Sequence, residues 1–147
     1  MGTDSDLRVV AARLPLEGVT VLVVDDNESA CEALQAVLEA EGASVSISSS
    51  GAAALELLDR SLPDVILADI GMPVVNGFEL VNLLRQRPAD RGGTLPVAAL
   101  TGYVSAEDRE RAAHVGFQAY LVKPVDPLEL IRTVKALARP HGDASAR

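Results

Sequence analysis

The chain is predicted to be an α/β protein, with one parallel β-sheet covered by helices on both faces. Three observations predict this. Short apolar runs rich in Val, Ile and Leu alternate with stretches whose apolar residues recur at helical spacing, five times over. The runs are apolar almost throughout, as strands buried on both sides are. Gly, Pro, Asn and Asp punctuate the segments, and a strand–helix alternation of this kind builds a parallel sheet.

The totals bound the answer. A length of 147 residues suits one domain. Hydrophobic content of 48% permits a full core, and with 3% aromatics and no Trp that core is aliphatic. No apolar run approaches the ~18 residues needed to span a membrane. The start, residues 1–6, is acidic and polar and is no signal peptide. The single Cys31 excludes an internal disulfide and a multi-cysteine metal site. These features together suit the cytoplasm. A net charge of −8 argues against direct nucleic-acid binding and leaves room for Mg²⁺ or a basic partner.

Each element has its own justification. Residues 1–17 read as a leader or linker, broken by Pro15. Residues 18–24 are a β-branched first strand ending in Asp25-Asp26. Asn27 or Asp26 then caps a helix carrying Ala30, Ala33, Leu34, Val37 and Leu38, and Gly42 stops it. Cys31 falls one position off that stripe and reads as a packed thiol. Residues 43–48 alternate, as a strand at a sheet edge does. A short helix over 51–60 carries Leu55, Leu57 and Leu58 and ends before Pro63.

Val65, Ile66, Leu67 and Ala68 form a strand buried on both faces, and Asp69 stands where it leaves the sheet. Gly71, Pro73, Asn76 and Gly77 make the turn that follows. Phe78, Leu80, Val81, Leu83 and Leu84 line the third helix, closed by Pro88 and Gly92-Gly93. Residues 95–102 are the fourth strand, ending on Thr101. Ser105 with Asp108 resembles a capping box. The helix over 106–115 is polar, with a weak apolar stripe, and is expected to be loosely held. His114 reads as solvated, and Gly116 ends the helix. Residues 117–124 are the fifth strand, ending on Lys123-Pro124. Asp126 caps and Pro127 opens the last helix, whose buried face is Leu130, Ile131, Val134, Leu137 and Ala138. A folded unit over 18–138 and a polar, frayed tail over 139–147 follow.

Four strand ends thus carry polar groups: Asp25-Asp26, Asp69, Thr101 and Lys123. Each alone has a bland explanation, as a cap, a strand end or a surface charge. In a parallel sheet all four converge on one rim, where ligands bind in open α/β folds. Crowded carboxylates repel, and a hard cation such as Mg²⁺ relieves them through oxygen ligands. A carboxylate is also a nucleophile toward phosphorus. Phosphoryl transfer needs charge neutralisation on the phosphoryl oxygens, which Mg²⁺, the Lys123 ammonium and the Thr101 hydroxyl supply. No P-loop and no GxGxxG follows the first strand, which argues against nucleotide folds built on them.

The pieces Val-Leu-Val-Val-Asp25-Asp26, Asp69-Ile-Gly-Met-Pro73 with Gly77, Ala-Leu-Thr101-Gly and Tyr120-Leu-Val-Lys123-Pro124 resemble the receiver domains of bacterial two-component response regulators, in order and in spacing. The resemblance covers about residues 18–138. It implies a flavodoxin-like, doubly wound (βα)5 sandwich with strand order 2-1-3-4-5. Asp69 is then the phosphoacceptor, with Asp25, Asp26, Asp69 and the backbone carbonyl of Gly71 as ligands of Mg²⁺. Thr101 takes a phosphoryl oxygen, Lys123 pairs with the phosphate, and Tyr120 is the switch aromatic. The Lys123–Pro124 bond is implied to be cis. Asn76 stands where the family often has Asp. Gly71 and Tyr103 occupy the two positions that tune water access in the family. Residues 12–16 resemble the end of a histidine-kinase ATPase domain, and with Lys123-Pro-Val-Asp-Pro127 suggest the C-terminal receiver of a hybrid sensor kinase, with no effector domain after it.

The function implied is a phosphorylation-driven switch of a two-component phosphorelay. A phosphohistidine on a histidine kinase or phosphotransfer protein donates to Asp69, and the surface of the fourth helix, fifth strand and fifth helix changes. That surface also offers a homodimer contact. The chain then catalyses only its own aspartyl phosphorylation and dephosphorylation. Two alternatives compete: a phosphorylation-independent interaction module of the same fold, and a Mg²⁺-dependent phosphatase with an Asp nucleophile. The first wants a missing acid or Lys, and none is missing. The second wants another acid after its nucleophile, where Gly71 stands.

Overall fold

The computed structural model describes residues 14–72, 76–102 and 105–138, with Asp108 described for its backbone alone. Residues 1–13 and 139–147, Pro73 of the expected turn, Tyr103 of the two expected water-access positions and the Asp108 side chain of the expected capping pair lie outside them. No helix among the described residues is long and apolar enough to cross a membrane.

Five strands alternate with five helices: β1 Thr20–Val24, α1 Glu28–Ala40, β2 Ser44–Ser48, α2 Gly51–Arg60, β3 Val65–Asp69, α3 Gly77–Arg85, β4 Val97–Thr101, α4 Ala106–Val115, β5 Ala119–Val122 and α5 Pro127–Ala138. A 3₁₀ turn, Ala89–Arg91, follows α3 and was not expected. The strands form one parallel sheet in the order β2-β1-β3-β4-β5. This is the doubly wound, flavodoxin-like order.

Alternation along the strands feeds two cores. Leu22, Val24, Ile66, Ala68, Val97 and Ala99 face α2, α3 and α4. Val21, Val23, Val65, Leu67, Ala98, Leu100 and Leu121 face α1 and α5. Every residue of β4 is buried, whereas β2 at the edge is mostly open.

The strands are shorter than the apolar runs suggested. At β4 the run starts with Leu95-Pro96, and Pro96 has no N–H to give a ladder; only its carbonyl serves, accepting from Ile66 N. At β5 the Phe117 N–H turns back to Ala112 O and closes α4 instead of joining the sheet. In the stretch expected as linker, Leu14–Glu17 form a turn. Leu16 is fully buried beside α1, and its N–H donates to Glu41 O at 2.8 Å. The turn is therefore part of the packed fold.

Caps follow the expected chemistry. Asn27, not Asp26, caps α1. Asn76 and Glu79 form a full capping box on α3. Asp126 Oδ2 accepts from Glu129 N at the start of α5.

Candidate functional site

The site grows out of register. Asp69 pairs with Leu100, and Thr101 pairs with Val122, so β3, β4 and β5 end on one rim. Asp25 joins them because its N–H still bonds Ser48 O as β1 ends. The Lys123 N–H donates to Thr101 O at 2.7 Å, tying the fifth strand end to the fourth. All the strand-end residues singled out in the sequence therefore meet at one end of the sheet.

Asp25 is 1% exposed, and both of its oxygens are held. Oδ1 accepts from Asn27 N at 2.9 Å, and Oδ2 accepts from Lys123 Nζ at 2.8 Å. Lys123 Nζ also lies 3.5 Å from Asp69 Oδ2. Asp69 Oδ1 accepts from Gly71 N at 2.9 Å, which turns its carboxylate toward the rim. Carboxylate oxygens of Asp25, Asp26 and Asp69 lie within 4.8 Å of one another. Asp26 is exposed, Asp69 half-buried and Thr101 buried.

Burial pushes the Asp69 carboxyl above its ordinary range, against the Gly71 hydrogen bond and the Lys123 charge that pull it down. Burial alone would lower Lys123, but its hydrogen bond to Asp25 and the two carboxylate charges hold the ammonium above its usual value. The amine stays charged. Three carboxylates with oxygens this close make an all-oxygen donor set of the kind a hard divalent cation takes, so the residues present fit Mg²⁺.

Two glycines lie against Asp69. A Cβ on Gly77 would stand 2.8 Å from Asp69 O and 2.9 Å from Ile70 Cα, so only Gly lets α3 start this close to β3. A Cβ on Gly71 would meet nothing nearer than Asp69 Oδ1 at 3.5 Å. The Lys123–Pro124 bond is cis. Cys31, buried under Asp25, donates to Asp25 O at 3.3 Å, and burial pushes its thiol up to about 11. It is packed and protonated. His114 is exposed.

Chain order did not point to Arg85 or Arg109. Arg85 donates to the carbonyls of Gly116 and Gly93 and to Gln118 Oε1, clamping the end of α4 to the end of α3. Arg109 lies over the Tyr120 ring, 5.4 Å from its centre. Both contacts join residues whose nearness only the tertiary fold creates.

Residues 21–135 match the family model of the response regulator receiver domain. This chain belongs to that family. The receiver is 47% identical over 120 residues to an uncharacterized 14.6 kDa protein in the sodA1 3' region of Leptolyngbya boryana, covering 82% of this chain and 90% of that one. It is 38% identical over 131 residues to the transcriptional regulatory protein PrrA of Mycobacterium tuberculosis, covering 87% of this chain and 54% of PrrA. The receiver thus spans about half the length of PrrA. Among solved structures, the receiver domain of the sensor histidine kinase PA1611 from Pseudomonas aeruginosa superposes with a TM-score of 0.74 at 30% identity. That match covers 82% of this chain and 98% of the other, which carries a magnesium ion in its active-site cleft. The chain is a receiver domain of two-component signalling, with the fold of its family and an acidic cluster at the expected rim.

Proposed function

We propose that this receiver is a phosphoacceptor switch, with Asp69 as the acceptor. The observation that carries the reading is the pairing of Asp69 with Lys123 Nζ at 3.5 Å beside two further carboxylates. A nucleophilic carboxylate sits at an open rim, with a fixed positive charge beside it.

In the proposed reaction an Asp69 oxygen attacks the phosphorus of a phosphohistidine on a histidine kinase or phosphotransfer protein. The P–O bond forms, the P–N bond breaks, and the imidazole leaves with the electron pair and takes a proton from solvent. Asp25, Asp26, Asp69 and the carbonyl of Gly71 would hold Mg²⁺, which supplies charge neutralisation on the phosphoryl oxygens. Lys123 does the same from the protein side, already oriented by Asp25. The Thr101 hydroxyl takes a phosphoryl oxygen, Tyr120 follows it, and the α4-β5-α5 surface changes for a partner or a second copy. The receiver turns over no other substrate.

Acetyl phosphate with Mg²⁺ tests this. Intact mass should show one phosphoryl group on the wild type and none on Asp69→Asn. Equal labelling of the two rejects Asp69 as the acceptor. Chelation of the metal should abolish labelling.

A further inference from the structure

α4 is held unlike any other helix here. Of its described side chains only Ala112 is buried, and Val115 is half-buried. Its two central arginines make no ion pair among the described residues. Each lies over an aromatic ring instead. Arg111 Cζ is 4.0 Å from the centre of Phe78 on α3, and Arg109 Cζ is 5.4 Å from the centre of Tyr120 on β5. Two residues apart on a helix is about 200° of rotation, so the arginines reach out on opposite sides of α4. Arg85 meanwhile fixes the turn after the helix through Gly116 O at 2.8 Å. The carboxyl end of α4 is clamped, and its middle rests on two aromatic rings.

We propose that Arg109 is the positioning residue of the switch ring. Its guanidinium over the Tyr120 face favours the half-buried ring position seen here, and rotation of the ring gives up that contact. Arg109 therefore sets how readily the site converts once Asp69 is modified. Arg111 is the internal control, since it braces the same helix on the ring of Phe78 instead. An exposed cation–π contact is weak enough for one phosphoryl group to overcome, which suits a latch and not a lock. The inference rests on the switch reading above and names the residue that biases it.

The chain has two tyrosines and no tryptophan. In a Tyr103→Phe background labelled with fluorotyrosine, fluorine NMR therefore reports Tyr120 alone. Beryllofluoride with Mg²⁺ serves as the phosphoryl mimic. In that parent the mimic should move the single resonance. In Arg109→Gln the resonances with and without mimic should converge, and acetyl phosphate should label Asp69 about fivefold faster, the weight of one such contact. Arg109→Lys, which keeps a cation over the ring, should restore most of the separation. Arg111→Gln should keep all of it. A separation in Arg109→Gln as wide as in the parent overturns the proposal, as does equal convergence in Arg111→Gln, which would mean that a loosened helix is enough. A parent resonance that ignores the mimic is a different failure: the switch reading itself falls, and the proposal with it.

Discussion

α3 and α4 lie side by side over the same face of the sheet, yet they are held by different forces. α3 has nine residues and buries five of them, Gly77, Phe78, Leu80, Val81 and Leu84, behind a full capping box. α4 has ten residues and, among its described side chains, buries Ala112 alone. A buried Leu or Phe is worth about 1.5–3 kcal/mol, whereas an arginine on a ring is worth about 0.5–2. The helix that follows the Asp69 loop is pinned by its core. The helix whose surface is proposed to change is attached by contacts of the size a local charge can reverse.

The contrast can be broken or sharpened by four changes. The largest is Leu80→Ala. Leu80 is 0% exposed, so its loss should cost about 2–5 kcal/mol in urea unfolding. A cost under about 1 kcal/mol would show that burial does not hold α3. Next comes Gly77→Ala, whose Cβ would stand 2.8 Å from Asp69 O. It should cost about 1–3 kcal/mol as overpacking and also slow acetyl phosphate labelling, because the strain lands on Asp69, the proposed acceptor. Asn76→Ala removes the side chain that accepts from Glu79 N at 3.0 Å. About 1 kcal/mol should be lost, and Asn76→Asp should recover it. The smallest is Arg111→Gln. Global stability should fall by under about 1 kcal/mol, while amide exchange speeds in α4 and stays unchanged in α3. Equal acceleration in both helices would erase the distinction.

The sequence signals were uneven. α2 was legible to the residue, because its leucines fall at helical spacing and Pro63 follows soon after its end; the structure adds the cap, Ser50, which accepts from Ala53 N. Strand ends were overestimated where an apolar residue served a turn, as Phe117 does. Leu16 was hidden because one leucine in a Pro-broken stretch has no period to reveal it, and only the α1–α5 core shows that it is a plug. The loose attachment of α4 was legible from its weak apolar stripe. Its actual attachment was not, since a stripe says nothing of an arginine reaching across to another element.

The sequence by itself determined the alternation of elements, the parallel sheet and the rim on which Asp25, Asp26, Asp69, Thr101 and Lys123 gather. These depend on local periodicity and on the direction in which each strand runs. Only the tertiary structure decided that Lys123 binds Asp25 more closely than Asp69, that Gly77 exists for closeness and not for its turn, and that Arg109 covers Tyr120. Those are distances between segments far apart in the chain. They are set by how the helices settle on the sheet, which no local pattern encodes.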